Sequence, residues 1–177
     1  RTTDKVVINN LHERSYGAGG TPTVGDPGNL ILNTADGIFW IMDNAGAFRK
    51  LVSQSYQIVT STNVILAIES GKTFYLDAVG GFTSTLPAPA AGLKFKFIVR
   101  TDPTTAYIIT TNAGANILQG TFLDIVGELQ AITNQDTLNF VANASLVGDS
   151  LEVESDGTNW YCTAFSKADG GITVSVT

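Results

Sequence analysis

The chain has 177 residues, 44% of them apolar, enough for one ordinary core with a small appendage, which excludes wholesale disorder. Only 15% are charged, while Gly, Thr, Ser and Asn abound, as in a β-protein or one that spends surface against partners. A net charge of −6 argues against sequence-independent nucleic-acid binding, and the single cysteine, Cys162, excludes an intrachain disulfide.

No apolar run approaches the ~18–20 residues of a membrane span, and no secretory pattern precedes the first strand. A first residue of Arg rather than Met fits a processed or trimmed product. Asp4–Ile8 reads as a short strand. Tyr16–Gly28 follows, with five glycines and two prolines, and precludes regular helix or central strand. Such an arm is expected to lie along a neighbouring subunit or partner.

Three short runs come next: Leu30–Asn33, Ile38–Met42 and Phe48–Val52. They are separated by the turn formers Ala35–Gly37 and Asp43–Gly46, which predicts a three-strand meander. So few residues cannot bury a core alone, so Phe39, Trp40 and Met42 are candidate contact residues. Residues 1–53 are therefore assigned to docking and oligomerisation, and 54–177 to a β-sandwich domain.

Strands are predicted over Tyr56–Thr60, Val64–Ile68, Thr73–Asp77, Phe82–Leu86, Leu93–Thr101, Ala106–Thr111, Leu138–Ala142, Ser150–Glu154, Asn159–Phe165 and Gly171–Val176. The clearest is Leu93–Arg100, where Leu93, Phe95, Phe97 and Val99 face one way and Lys94, Lys96 and Arg100 the other. One face packed and one wet is the pattern of an antiparallel sandwich. Regular turn signals between the runs predict an all-β, jelly-roll-like sandwich. The only helical candidate is a turn near Leu123–Ala131.

The hairpin Ser150–Phe165 carries the strongest local signal, with Asp156-Gly157 supplying the turn. Its alternation puts Trp160 and Cys162 in the core. Tyr161 and Phe165 fall on the opposite face, as candidate contact residues. Cys162 is thereby read as a small buried side chain and not a nucleophile.

No constellation suited to catalysis emerges. The sole histidine, His12, sits in the arm, so a Ser-His-Asp triad or a His/Cys metal site has no support. Ser70-Gly71-Lys72-Thr73 lacks the earlier glycine of a phosphate-binding loop, Leu66 standing there, and reads as a hairpin turn. Glu152 and Glu154 share a strand face about 7 Å apart, a spacing open to paired acid–base work, but they read as a solvated face. Asp36, Asp43, Asp149 and Asp156 occupy turn positions, where Asp bonds locally. Asn143-Ala-Ser145 fits a glycosylation acceptor but reads as loop. No catalytic, cofactor-binding or metal-ligating residue is assigned.

The segment Gly28-Asn-Leu-Ile-Leu-Asn-Thr-Ala-Asp-Gly-Ile-Phe-Trp-Ile-Met-Asp-Asn-Ala-Gly46 resembles a short meander found near the N-termini of tailed-phage virion proteins. Phe74–Asp77 and Phe82–Ile98, with Glu154–Tyr161, resemble a β-sandwich module of phage and large-virus structural proteins. The likeness covers roughly Gly28 to Phe165. Ile38-Phe39-Trp40 departs from it by being more apolar than the usual strand. The resemblance implies a non-enzymatic virion protein: a capsid decoration or cement protein, a head fibre or a tail-fibre tip, usually a homotrimer. The expected partners are further copies of the chain and the major capsid protein or other virion proteins at the capsid surface; nucleic acid and membrane are not expected. The alternative is a fibre-tip module recognising host-surface glycans through loops Asn112–Asn116 and Ala142–Ser150 with Tyr161.

Overall fold

The computed structural model describes residues 11–14, 30–33, 38–42, 45–50, 56–112 and 116–176. The chain divides into two units, Arg1–Ser53 and Gln54–Thr177. In the first unit β1 (Leu11–Arg14), β2 (Leu30–Asn33), β3 (Ile38–Met42) and β4 (Phe48–Lys50) form one sheet in that order. β2 to β4 are the expected meander, antiparallel, with Ile31 opposite Trp40 and Met42 opposite Phe48. β1 is an addition to it. It pairs in parallel with β2 and places His12 opposite Ile31, so this histidine belongs to a strand and not to an irregular arm. Ile31 and Met42 are buried, whereas Phe39 is 38% exposed. The strand expected over Asp4–Ile8, the segment Tyr16–Gly28 and the turn Ala35–Gly37 lie outside the described residues.

The second unit is all-β. Twelve strands in two sheets are described: β5 (Tyr56–Val59), β6 (Asn63–Val64), β7 (Thr73–Leu76), β8 (Phe82–Thr85), β9 (Lys94–Val99), β10 (Tyr107–Thr110), β11 (Leu118–Leu123), β12 (Leu129–Gln135), β13 (Thr137–Phe140), β14 (Ser150–Ser155), β15 (Trp160–Phe165) and β16 (Ile172–Ser175). The seven-stranded sheet runs β12-β11-β15-β14-β9-β7-β5, the five-stranded one β16-β13-β10-β8-β6. Their buried faces join in one apolar core. Period-2 alternation builds it: β15 reads buried, exposed, buried, exposed, buried, exposed, and β9 and β14 follow suit. Phe74 stacks on Phe97 with ring centroids 5.4 Å apart, and Phe95 meets Trp160 at 5.8 Å.

Pairing is mixed, not the wholly antiparallel arrangement expected. From β5 to β10 successive strands alternate between the sheets. β5, β7 and β9 therefore pair in parallel in one, and β6, β8 and β10 in parallel in the other. This makes a two-sided coil of three turns. Its corners stack and lace together. Asp77 in the β7–β8 corner accepts hydrogen bonds from Arg100 (2.9 Å) and the Thr101 hydroxyl in the β9–β10 corner. Thr104 N donates to Val79 O at 2.7 Å. Gly81 (φ +60°) sits where a Cβ would collide with the Thr105 carbonyl oxygen, so only glycine fits.

Two local expectations are corrected. The stretch Leu123–Ala131 is not helical: it is the end of β11, a turn with Gly127 at φ +83°, and the start of β12. Val64–Ile68 is not a full strand, since β6 stops at Val64 and Ala67–Glu69 forms a 3-10 turn. That turn leads from one sheet to the other, so Ser70–Thr73 is a crossing between sheets and not a hairpin.

Candidate functional site

Side chains on the outer face of the seven-stranded sheet line up in rows because Cα partners share a face. One row is apolar almost throughout: Leu129, Leu123, Phe165, Ser150, Ile98, Tyr75 and Ile58 are consecutive Cα partners across all seven strands. At about 4.8 Å per strand it spans about 29 Å. Its β12 end is the more exposed, with Leu129 at 69% and Phe165 at 52%. The β11–β12 turn adds Ile125 and Val126, both exposed. This turn is held rigid from within. Buried Asp124 accepts hydrogen bonds through Oδ1 from the backbone N–H groups of Val126 (3.1 Å) and Glu128 (3.2 Å). Ser166 N donates to Leu123 O at 2.9 Å, which ties the end of β15 to the same corner.

The next row is polar: Thr121, Thr163, Glu152, Lys96 and Thr73 end at Tyr56. Glu152 accepts a hydrogen bond from Lys96 at 2.7 Å, and Glu154 stands 3.7 Å from Lys94. The Lys96 hydrogen bond, ahead of the opposing cost of burial, holds the Glu152 carboxyl below its usual range. Each glutamate is thus matched with a lysine on the neighbouring strand, the arrangement of a solvated sheet face.

A groove of about 500 Å³ opens on this face, lined by Tyr56, Gly71, Lys72, Thr73, Tyr75, Lys94, Phe95, Lys96 and Glu152. Tyr56 meets Tyr75 edge to face, centroids 5.8 Å apart and planes at 79°. A second hollow of about 290 Å³, between Tyr56, Ile58, Tyr75 and Arg100, adjoins the same two rings. Lys72 is anchored by Glu69 (2.7 Å) and Gln57 (3.4 Å).

Tyr161 and Phe165 both project from the outer face as exposed side chains of β15, four strands from Tyr56 but next to β14, whose Glu152 lines the groove. Phe165 joins the apolar row. The Tyr161 hydroxyl donates to Asp156 at 3.2 Å, and Tyr161 lines a hollow of about 240 Å³ with Glu154, Thr163, Lys94 and Glu152, the last two shared with the groove. Tyr161 pairs with Glu154, whereas loop 142–149 joins β14 beside Phe165, at the opposite end of the hairpin. The structure therefore does not assemble loop Ala142–Ser150 and Tyr161 into one glycan site. That loop instead folds around buried Asp149, and residues 113–115 of the other proposed loop lie outside the described residues. Phe39, Trp40 and Met42 are on β3 of the first unit, with Trp40 half-buried and Met42 buried.

Sequence reasoning missed Leu123, Ile125, Val126 and Leu129, because they sit where a helical turn was expected. It also missed the meeting of Tyr56, Lys72, Tyr75, Lys94 and Lys96, whose outward direction is legible but whose proximity depends on parallel pairing. Cys162 is buried, and burial pushes its thiol up to about 12, so it is no nucleophile at neutral pH. Among the described residues no three His, Cys, Asp or Glu side chains converge where they could hold a metal ion. No described helix is long and apolar enough to cross a membrane. No protein-family model matches the chain, and no characterised protein matches its sequence.

Proposed function

We propose that the chain is a non-enzymatic virion structural protein: a homotrimeric capsid decoration or cement protein that binds and stabilises a phage head shell. One observation carries this reading beyond the sequence resemblance, namely the apolar patch at the β12 end of the outer sheet face. There Leu129, Leu123 and Phe165 lie side by side on three neighbouring strands and, with Ile125 and Val126 of the hairpin tip, form a contiguous apolar cluster of the kind that marks a contact surface. Leu129, Phe165, Ile125 and Val126 are firmly placed by backbone pairing and by Asp124, so little ordering cost accompanies their burial in a contact. In the trimer this patch packs against a neighbouring copy, and the first unit, residues 1–53, meets the capsid shell.

Light scattering on the purified chain tests the first part, and addition to capsids lacking it tests the second. A trimer that binds such capsids and raises their resistance to heat or osmotic shock is the expected outcome. Phe165→Asp combined with Ile125→Asp is expected to give folded monomers. A wild-type chain that is monomeric and has no affinity for capsids overturns the proposal.

A further inference from the structure

We propose that the groove around Tyr56 and Tyr75 is a binding site for an acidic oligosaccharide, one carrying carboxylate or sulfate groups. This inference is independent of the capsid reading and concerns the other end of the sheet from the apolar patch.

Aromatic surface is the first argument. Tyr56 is 68% exposed on an edge strand, yet it is held edge to face against Tyr75 at 5.8 Å. A ring kept in place but left open to solvent offers a flat apolar face, which the C–H face of a pyranose can cover while its hydroxyls stay wet. The two hollows on either side of this ring pair, about 500 and 290 Å³, suit a chain of several sugars better than a single one.

Charge is the second argument. The whole chain is acidic, at −6, yet of its ten Lys and Arg residues Lys72, Lys94 and Lys96 line the larger hollow and Arg100 the smaller. The larger hollow itself contributes one carboxylate, Glu152. Lys96 is bonded to Glu152 and Lys72 to Glu69, each at 2.7 Å, and Arg100 to Asp77 at 2.9 Å. An ammonium has three donors, so Lys96 keeps two N–H groups for an incoming anion and Lys72, bonded also to Gln57, keeps one. Lys94, 3.7 Å from Glu154 and 58% exposed, is the cation held least tightly by its neighbour. Thr73 and Glu152 add a hydroxyl and an acceptor for sugar hydroxyls. A nucleic acid would need a broad basic face, which an acidic chain lacks. An extended peptide would align with the β5 edge, whereas the groove lies on the sheet face over β5, β7 and β9.

The test is calorimetric titration of the full chain at low ionic strength with tetragalacturonate, with a heparin tetrasaccharide, and with maltotetraose as the neutral counterpart. Binding of at least one acidic probe, weakened by added salt and absent for maltotetraose, is expected; which one binds tells carboxylate from sulfate recognition. Tyr56→Ala and Lys94→Glu should each lower the affinity about tenfold, while Leu129→Ala, on the opposite edge strand of the same sheet, should not. Both groove side chains are exposed, so unchanged thermal midpoints should accompany the loss. Failure of both acidic probes to bind, equal binding of maltotetraose, competition by an uncharged extended peptide, or affinities unmoved by both groove substitutions overturns the proposal. Trimer formation and capsid binding are read separately and do not bear on it.

Discussion

The Tyr107 hydroxyl donates to Thr101 O at 3.0 Å and accepts from Ala78 N at 2.8 Å, pinning two coil corners from inside the core. Tyr107→Phe strands both backbone groups, and a loss of about 1–3 kcal/mol in urea unfolding is expected. Asp149 is fully buried and more heavily engaged. Its carboxylate accepts from Ser145 Oγ (2.8 Å), Leu146 N (3.0 Å), Ser166 Oγ (3.1 Å) and Lys167 N (2.7 Å). Asp149→Ala is expected to cost about 3 kcal/mol or more, because four donors lose a charged acceptor at once. Local bonding by a turn aspartate was legible in the sequence at Asp149; its reach to Ser166 and Lys167 was not, since β14 and β15 intervene. Cys162 supplies a pH effect with a definite sign. Its thiol is raised from 9.0 to about 12 by burial, so between those values the unfolded chain loses a proton that the folded chain retains. Stability is therefore drawn down as pH rises from 9 towards 12, and Cys162→Ala should show a shallower decline in urea midpoint over that range. A thiol reagent at pH 8 should react only after unfolding.

At the scale of the element, the β14–β15 hairpin behaves as its alternation foretells. Asp156 Oδ1 accepts from Thr158 N (2.7 Å) and Asn159 N (2.8 Å), bridging the turn beside Gly157. The Asn159 and Thr158 amides hold this carboxyl below its ordinary value, so its contribution is present above the usual Asp range and fades only as pH falls through the lower folded value. Amide chemical shifts of Thr158 and Asn159 followed by NMR should accordingly titrate below pH 3.8. The β11–β12 hairpin was the least legible. Leu129-Gln-Ala-Ile-Thr-Asn-Gln135 is an edge strand with Ile132 turned inward and its outward side chains exposed, so the alternation that marks a half-buried strand is faint. Gly120 beside it is at φ +146°, where a Cβ would strike the Cys162 carbonyl oxygen. Gly120→Ala is expected to cost about 3 kcal/mol by calorimetric or urea unfolding, from backbone strain and displacement of β15 together.

Across the whole molecule, the coil from β5 to β10 decides where chemistry-bearing side chains meet. Lys72, Thr73 and Tyr75 come from one turn of the coil, Lys94 and Lys96 from the next, and Tyr56 from the one before. Had Thr73–Leu76 and Phe82–Thr85 formed a hairpin, as their spacing suggests, Tyr75 would face a β8 residue and the groove would not exist. The apolar row is likewise a product of register. Of this row, only Phe165 is legible in the sequence as an outward aromatic. Only the pairing β12-β11-β15-β14-β9-β7-β5 reveals that five more apolar side chains continue its line.

The sequence by itself determined the all-β class, the inward set Phe95, Phe97, Trp160 and Cys162, and the outward set Lys94, Lys96, Glu152, Glu154, Tyr161 and Phe165. These follow from the pleat, a local property in which every second side chain shares a face. Only the tertiary structure decided which strands lie side by side, that the coil pairs in parallel, and hence that Tyr56, Tyr75 and three lysines share one groove. Pairing depends on whether each connection turns back within a sheet or crosses to the other. That choice is made by long-range packing of the two inner faces and is only weakly encoded in a few turn residues.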